Sequence, residues 1–404
     1  MKHHRLFATI LTIALAFNSA SFTSEAKKKD ERAKYIFLFI GDGMGANHVA
    51  TAESYLSHLQ GKLGGVSLTM TQFPYYGTAT SFSADKSITD SSAAGTAIAC
   101  GEKTYNGGLG VDADGNPVKS MAYDLKEDGY KIGIMSTVPI NHATPGAFYA
   151  SSNSRNDYYD ISTQILKTDF EFFAGSGFID FRGKKGEEKE AIDAYLEKNG
   201  YEVCYGIEEF RNDSKGKKKV VFCQESNRAE SAGNYVSSGD IPADATLAEM
   251  LQLGIDYLGE KDPFFFMCEG GDIDWTAHAN KTMPMIMDVL EFDEAIAVAY
   301  EFYKKHPKET LIVVTADHET GGLSLGAGPE LIGWDMLIEQ WEKDGKQNNL
   351  GWRENSELNR KASIGWTTGG HSGTPVPVFS VGKGAEKFSG RMDNTDIKGK
   401  ILGK

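Results

Sequence analysis

Four apolar runs recur along this 404-residue chain, Lys34 to Ile40, Phe264 to Cys268, Leu311 to Val314 and Pro375 to Val381. They lack the polar alternation that marks a strand with one wet face. Continuous runs of this length, separated by helical patterns, read as parallel strands buried on both faces of a sheet with helices on either side. Leu247, Leu251, Ile255 and Leu258 keep a helical spacing just before the run at Phe264. The expected fold is α/β, a three-layer α/β/α sandwich around a largely parallel central sheet.

In such sheets ligands bind beyond the carboxyl ends of the strands. The first run leads into Gly41-Asp42-Gly43-Met44-Gly45, and the second into Glu269-Gly270-Gly271-Asp272-Ile273-Asp274-Trp275-Thr276-Ala277-His278. The third leads through Thr315-Ala316 into Asp317-His318-Glu319, and Gly369-Gly370-His371 precedes the fourth. A helix starting near Ile273 would put Asp274 and His278 on one face, where a carboxylate and an imidazole can share a divalent cation. Alone, that pair reads equally well as a surface ion pair. The recurrence of metal-type ligands at the other strand ends decides for a metal centre.

Thr89-Asp90-Ser91-Ser92-Ala93-Ala94-Gly95 reads as a helix N-terminus capped by Asp90. A serine there meets free N–H groups and the positive end of the helix dipole, both suited to a phosphoryl oxygen, though the same residues also describe a plain cap. The Gly-x-Ser-x-Gly elbow of hydrolases is absent, so a nucleophilic Ser91 would need activation by a metal. Ser92 is the rival nucleophile.

The net charge of −14 excludes nucleic acid as a general partner, since a phosphodiester-binding face is basic. It does not exclude small phosphate esters, because cations and one placed arginine supply positive charge locally. Met1 to Arg5 is positively charged, Leu6 to Phe17 is apolar and Ser24-Glu25-Ala26 offers small residues, a pattern resembling a cleaved signal peptide over 1–26. A secreted or periplasmic protein without stable membrane insertion is expected. Residues 27–404 form the catalytic domain in this reading, with a surface insertion at about 175–240, where Lys215 to Lys219 reads as a hairpin tip. Of four cysteines, Cys204 and Cys223 are the expected disulfide pair, with Cys100 and Cys268 buried and free. His48, His58 and His306 lack ligand company and read as structural.

Taken in order, Gly41 to Gly45, Thr89 to Ala94, Glu269-Gly270-Gly271, Asp274 with His278, Asp317-His318-Glu319 and Gly370-His371 resemble the signature of alkaline phosphatases. That resemblance implies one zinc on Asp274, His278 and His371, and a second surrounded by Asp42, Asp317, His318 and the Ser91 oxygen. It implies a third ion, magnesium, on Asp42, Thr144 and Glu269; oxygen-only ligands suit magnesium and mixed nitrogen and oxygen ligands suit zinc. Arg155 matches the phosphate-binding arginine, whose planar fork takes two non-bridging oxygens. The implied reaction is hydrolysis of phosphate monoesters through a phosphoserine on Ser91, and the implied assembly is a homodimer. Ser91 is preferred to Ser92 because it directly follows the motif's Asp.

This chain carries His142 and Trp275 where the best-known bacterial pattern has Asp and Lys: both are expected at the substrate site, with Trp275 reading equally as a packing residue; losing the Lys removes a cation near the phosphate, and His142 is expected to alter the third metal site. Competing readings are a phosphodiesterase of the same superfamily and a non-catalytic metal or phosphate binder of the envelope. A nucleotide-dependent oxidoreductase is disfavoured because Gly41-x-Gly43-x-Gly45 lacks the dinucleotide-binding spacing.

Overall fold

A computed structural model describes residues 32–227, 244–326, 331–347 and 349–403. The expected signal peptide lies outside the described residues. The strands are β1 (Tyr35–Gly41), β2 (Tyr75–Thr80), β3 (Lys131–Ser136), β4 (Phe172–Gly175), β5 (Glu202–Tyr205), β6 (Val220–Cys223) and β7 (Phe264–Gly270). They continue with β8 (Thr310–Ala316), β9 (Glu319–Thr320), β10 (Leu323–Leu325), β11 (Ile364–Trp366), β12 (His371–Ser372), β13 (Val376–Gly382) and β14 (Gly390–Asp393).

Ten of these form one sheet in the order β14-β2-β13-β8-β1-β7-β3-β4-β6-β5. Each apolar run of the sequence is one of its inner strands. β1, β7 and β8 are buried along their whole length, which is why they show no alternation. β13 alone runs against its neighbours β8 and β2. Its amino end therefore lies beside the carboxyl ends of the others, so a histidine preceding β13 reaches the same edge as acids following β1 and β8.

The two helical layers can be read from consecutive phenylalanines. Phe264 and Phe266 point to one face, where Phe264 packs at a tilt against Phe302 of helix Thr282–Lys305 at 5.4 Å and Phe266 meets Phe172 at 6.2 Å. Phe265 points to the other face and stacks at 6.3 Å on Phe148, beyond the short helix Ala143–Gly146. The expected helix over Leu247 to Leu258 is present, opened by a capping box of Thr246 and Glu249. Among the described residues no helix is long and apolar enough to cross a membrane.

Two expectations are corrected. The 175–240 segment continues the alternation over its described part: helix Ile192–Lys198, β5, helix Gly206–Asp213 and β6 follow in turn, and β6 and β5 extend the sheet beyond β4. Polar helix surfaces disguised two short strands whose apolar content is only a few residues each. Lys215 to Lys219 is thus a helix-to-strand turn and not a hairpin tip. Cys204 and Cys223 are both free and buried. Cys204 stands opposite Phe222 and Tyr205 opposite Cys223, so the one-residue offset sends the two thiols to opposite faces of the sheet.

Close packing of β3 on β7 depends on Gly133, where an added Cβ would lie 2.2 Å from the Phe266 ring. Gly133→Ala is expected to destabilise the protein by about 1–3 kcal/mol through overpacking, read from urea unfolding at fixed zinc and magnesium.

Candidate metal centre and active site

β1, β7 and β8 end in register: Gly41 is opposite Gly270 on one side and Ala316 on the other. Asp42 and Asp317 therefore leave the sheet side by side, both fully buried. Glu269 lies one pleat back, on the face shared with Phe265, toward the Ala143–Gly146 helix that carries Thr144. Asp274 and His278 share a face of helix Asp272–His278, as their spacing predicts, with His278 Nε2 3.3 Å from Asp274 Oδ2. His371 enters through the two-residue pairing of β12 with β9.

The histidines are aimed from behind. His278 Nδ1 lies 2.7 Å from the Gly369 carbonyl and His371 Nδ1 lies 2.8 Å from the Thr89 carbonyl. A carbonyl only accepts, so each Nδ1 carries the proton and each Nε2 is left free to ligate. The two Nε2 atoms are 3.2 Å apart. His318 stacks on His371 with ring centroids 3.6 Å apart, and its Nε2 is 3.2 Å from both Asp42 Oδ1 and Asp317 Oδ2.

Among the described residues, three groups have donor atoms within 4.8 Å of one another: Asp274, His318 and His371; Asp42, Asp317 and His318; and Asp42, His142 and Glu269. Of the residues expected as ligands, Asp42, Glu269, Asp274, Asp317, His318 and His371 fall in these groups; His278 does not, although its Nε2 lies 3.2 Å from His371 Nε2. His318 stands between the first two groups, and His142 joins the group expected to rest on Asp42, Thr144 and Glu269. The Thr144 hydroxyl lies alongside Glu269, and neither it nor Glu269 Oε1 completes a hydrogen bond.

Ser91 opens helix Ser91–Cys100, capped by Asp90, whose Oδ1 accepts from Ala93 N at 3.0 Å. Ser91 Oγ is 3.2 Å from His318 Nε2. Ser92 Oγ instead donates to Asp90 Oδ2 at 2.9 Å, as a capping residue does. That same Asp90 oxygen accepts from Arg155 Nη1 at 3.2 Å, and Arg155 Nη2 lies 3.2 Å from His142 Nε2. Trp275 stands edge-on to the His142 ring at 5.7 Å.

Some contributors carry no signal in the sequence, or only a faint one. Ser136 Oγ donates to Glu269 Oε2, and Thr320 Oγ1 donates to Asp274 Oδ1 at 2.5 Å. Thr320 sits next to the Asp-His-Glu motif, which is the one hint available; Ser136 has none. Gly43 has φ of +71°, and a Cβ there would lie 2.8 Å from Thr320 Oγ1 and 2.9 Å from Asp274 Oδ1, so only glycine lets the first loop close onto these acids. His58 and His306 pair with Asp335 and Glu260 at 3.0 and 3.1 Å, while buried His48 accepts from Gly45 N at 3.1 Å.

The profile that defines the family described as alkaline phosphatase matches residues 33–172, 229–346 and 335–402. The chain belongs to the alkaline phosphatase family. Alkaline phosphatase 4 of Bacillus subtilis is 30% identical over 92% of this chain and 89% of its own length. A solved alkaline phosphatase from a Shewanella species, described as cold-active, superposes with a TM-score of 0.78 at 27% identity, covering 91% of this chain and 98% of its own. A histidine-to-aspartate mutant of the alkaline phosphatase from the Antarctic bacterium TAB5, with magnesium bound in its M3 site, superposes at 0.71 with 31% identity, covering 92% and 97%. This chain is accordingly a phosphoester hydrolase of the alkaline phosphatase class.

Metal binding in this alkaline phosphatase is supported by its own unmet donors. Both oxygens of Asp42, Oδ2 of Asp317, Oε1 of Glu269 and the Thr144 hydroxyl are buried without a hydrogen-bond partner. Buried acceptors are normally satisfied, and cations are what these oxygens fit. Burial, and then the neighbouring acids, push the Asp42 and Asp317 carboxyls well above the usual range. Burial likewise moves Glu269 up to about 7. The bond to Asp274 raises His278 to about 9, and burial followed by the Arg155 charge lowers His142 to about 3.

In chelated protein the folded state holds the Glu269 and His278 protons more tightly than the unfolded chain does. Their stabilising contribution is present in full below the unfolded values of 4.5 and 6.5 and is lost as pH rises through about 7 and about 9. The melting temperature in chelator is therefore expected to fall between pH 5 and pH 9 by several degrees, and saturating zinc and magnesium to flatten that slope, as read by calorimetry.

Proposed function

We propose that this enzyme hydrolyses phosphate monoesters through a phosphoserine on Ser91, at a centre holding two zinc ions and one magnesium ion. The observation carrying this reading is the hydroxyl of Ser91, at a buried helix start and 3.2 Å from His318 Nε2, which itself stands 3.2 Å from the Asp42 and Asp317 carboxylates. Asp274, His278 and His371 hold one zinc; Asp42, Asp317 and His318 hold the other beside Ser91. Asp42, Thr144 and Glu269 would hold magnesium, with His142 as neighbour, because oxygen donors suit that ion. When bound, the ions acidify hydroxyls and neutralise charge that develops on the transferring and leaving oxygens.

The chain's own residues supply the rest. Arg155, steadied by Asp90, presents its fork to two non-bridging phosphoryl oxygens. Ser91 Oγ loses its proton to solvent water and attacks phosphorus in line, forming the serine–phosphorus bond as the ester P–O bond breaks; the departing alkoxide takes a proton from water and leaves as the alcohol. Water then attacks the phosphoserine from the side the alcohol left, releasing phosphate and returning Ser91. Two inversions leave the configuration at phosphorus unchanged. The free N–H groups of the Ser91 helix stabilise phosphoryl charge throughout. His142 and Trp275 line the substrate side of the site. The signal peptide over 1–26 delivers the catalytic domain outside the cytoplasm.

Ser91→Ala is expected to abolish turnover of a chromogenic phosphate monoester and to leave no acid-stable label from a radioactive one. Dominant turnover of the matched diester would instead establish the phosphodiesterase reading. Arg155→Ala is expected to lower kcat/KM by about 100-fold. Arg155→Lys should recover little of it, because an ammonium cannot span two oxygens.

A further inference from the structure

Glu319 is a buried carboxylate, 5% exposed, with no part in the chemistry described above. It follows His318 directly and is itself part of β9. Its Oε2 accepts from Ser372 Oγ and, at 3.2 Å, from Gly322 N; its Oε1 accepts from Leu323 N at 3.2 Å. Ser372 follows His371 and stands opposite Glu319 in the β9–β12 pairing. The same side chain is pressed against the first loop, where a Cβ added at Gly45 would lie 2.3 Å from Glu319 Cγ. One acceptor-only side chain thus touches each of the loops that bring Asp42, His318 and His371 to the centre.

We propose that Glu319 is a positioning residue: through Ser372 it locks the His371 loop to the His318 loop and so sets how tightly the centre holds zinc. This rests on the ligand reading given under the proposed function. The β9–β12 ladder is only two residue pairs long. Such a ladder is too short to hold a histidine in place by backbone pairing alone. Ligand histidines depend on partners behind them, and removing such a partner typically weakens metal affinity by about 10- to 100-fold. A carboxylate suits the task because all its partners here are donors; the amide of glutamine would turn one N–H toward another.

The test is zinc affinity by competition with a chromogenic chelator, on metal-free full-length protein, alongside the thermal unfolding of the same metal-free samples. Ser372→Ala removes the link between loops and leaves the turn bonds of Glu319 in place. It is expected to weaken zinc binding about 10-fold with an unchanged metal-free melting temperature. Glu319→Ala should weaken it further and Glu319→Gln should fall between. Adding Ser372→Ala to Glu319→Ala should cause no additional loss, since the shared link is already gone. Parental zinc affinity in Ser372→Ala, or losses that simply add in the double variant, would overturn the proposal. The titration reads binding and not turnover, so a failure of the hydrolytic reading would leave it legible; a parent that binds no zinc would bring down both.

Discussion

Asp42, Glu269, Asp274 and Asp317 are four carboxylates held within one buried pocket, each 4% exposed or less. Four of their eight oxygens, both of Asp42 with Oε1 of Glu269 and Oδ2 of Asp317, meet no hydrogen-bond donor, and an uncompensated buried charge costs several kcal/mol. The Arg155 charge acts on Asp42, but that guanidinium is already engaged by Asp90. Cations resolve this conflict, and everything around the centre serves to keep the acids from moving apart before the cations arrive. The raised carboxyls of Asp42, Asp317 and Glu269 are the same conflict expressed as proton affinity.

The sheet supplies that restraint. β1, β7 and β8 are paired along their full lengths and packed with phenylalanines on both faces, so their carboxyl ends form a fixed edge. Asp42, Asp317 and Glu269 lie within a residue or two of it. His278 and His371 stand on less rigid ground, a seven-residue helix and a two-residue strand. Correspondingly, it is these two whose Nδ1 atoms are anchored to backbone carbonyls. Short elements fix a ligand less firmly than long paired strands, and here a bond from behind orients each ring.

Asp90 joins the two halves of the phosphate-handling apparatus. One carboxylate oxygen caps the Ser91 helix and the other holds Ser92, Gly107 N and Arg155. Ser91, the proposed nucleophile, and the Arg155 guanidinium are therefore referenced to one side chain. This arrangement also separates the adjacent serines: Ser92 is occupied by the cap, while Ser91 faces His318. His142 lies beside Arg155 and edge-on to Trp275, and burial followed by the Arg155 charge disfavours its protonation.

The sequence by itself determined the inner strands, the helices at Leu247 and Ser91, and which residues meet at the centre. These are local matters: unbroken apolar runs, a helical spacing, a cap, and ligand types placed beside strand ends. The edge strands β5 and β6 escaped it because four-residue strands amid charged helices have too few apolar positions to register as a period. The cysteine pairing failed because a one-residue offset between strands reverses the face, and register is a property of the pairing, not of either strand. Only the tertiary structure decided that His142 joins the Asp42–Glu269 group, that His318 stands between two groups, and that Thr320, Ser136 and Glu319 hold the ligands in place. Those contacts span 46 residues from Thr320 to Asp274, 133 from Ser136 to Glu269 and 53 from Ser372 to Glu319. No local pattern encodes a distance of that kind; it exists only once the sheet has brought its strand ends to a common edge.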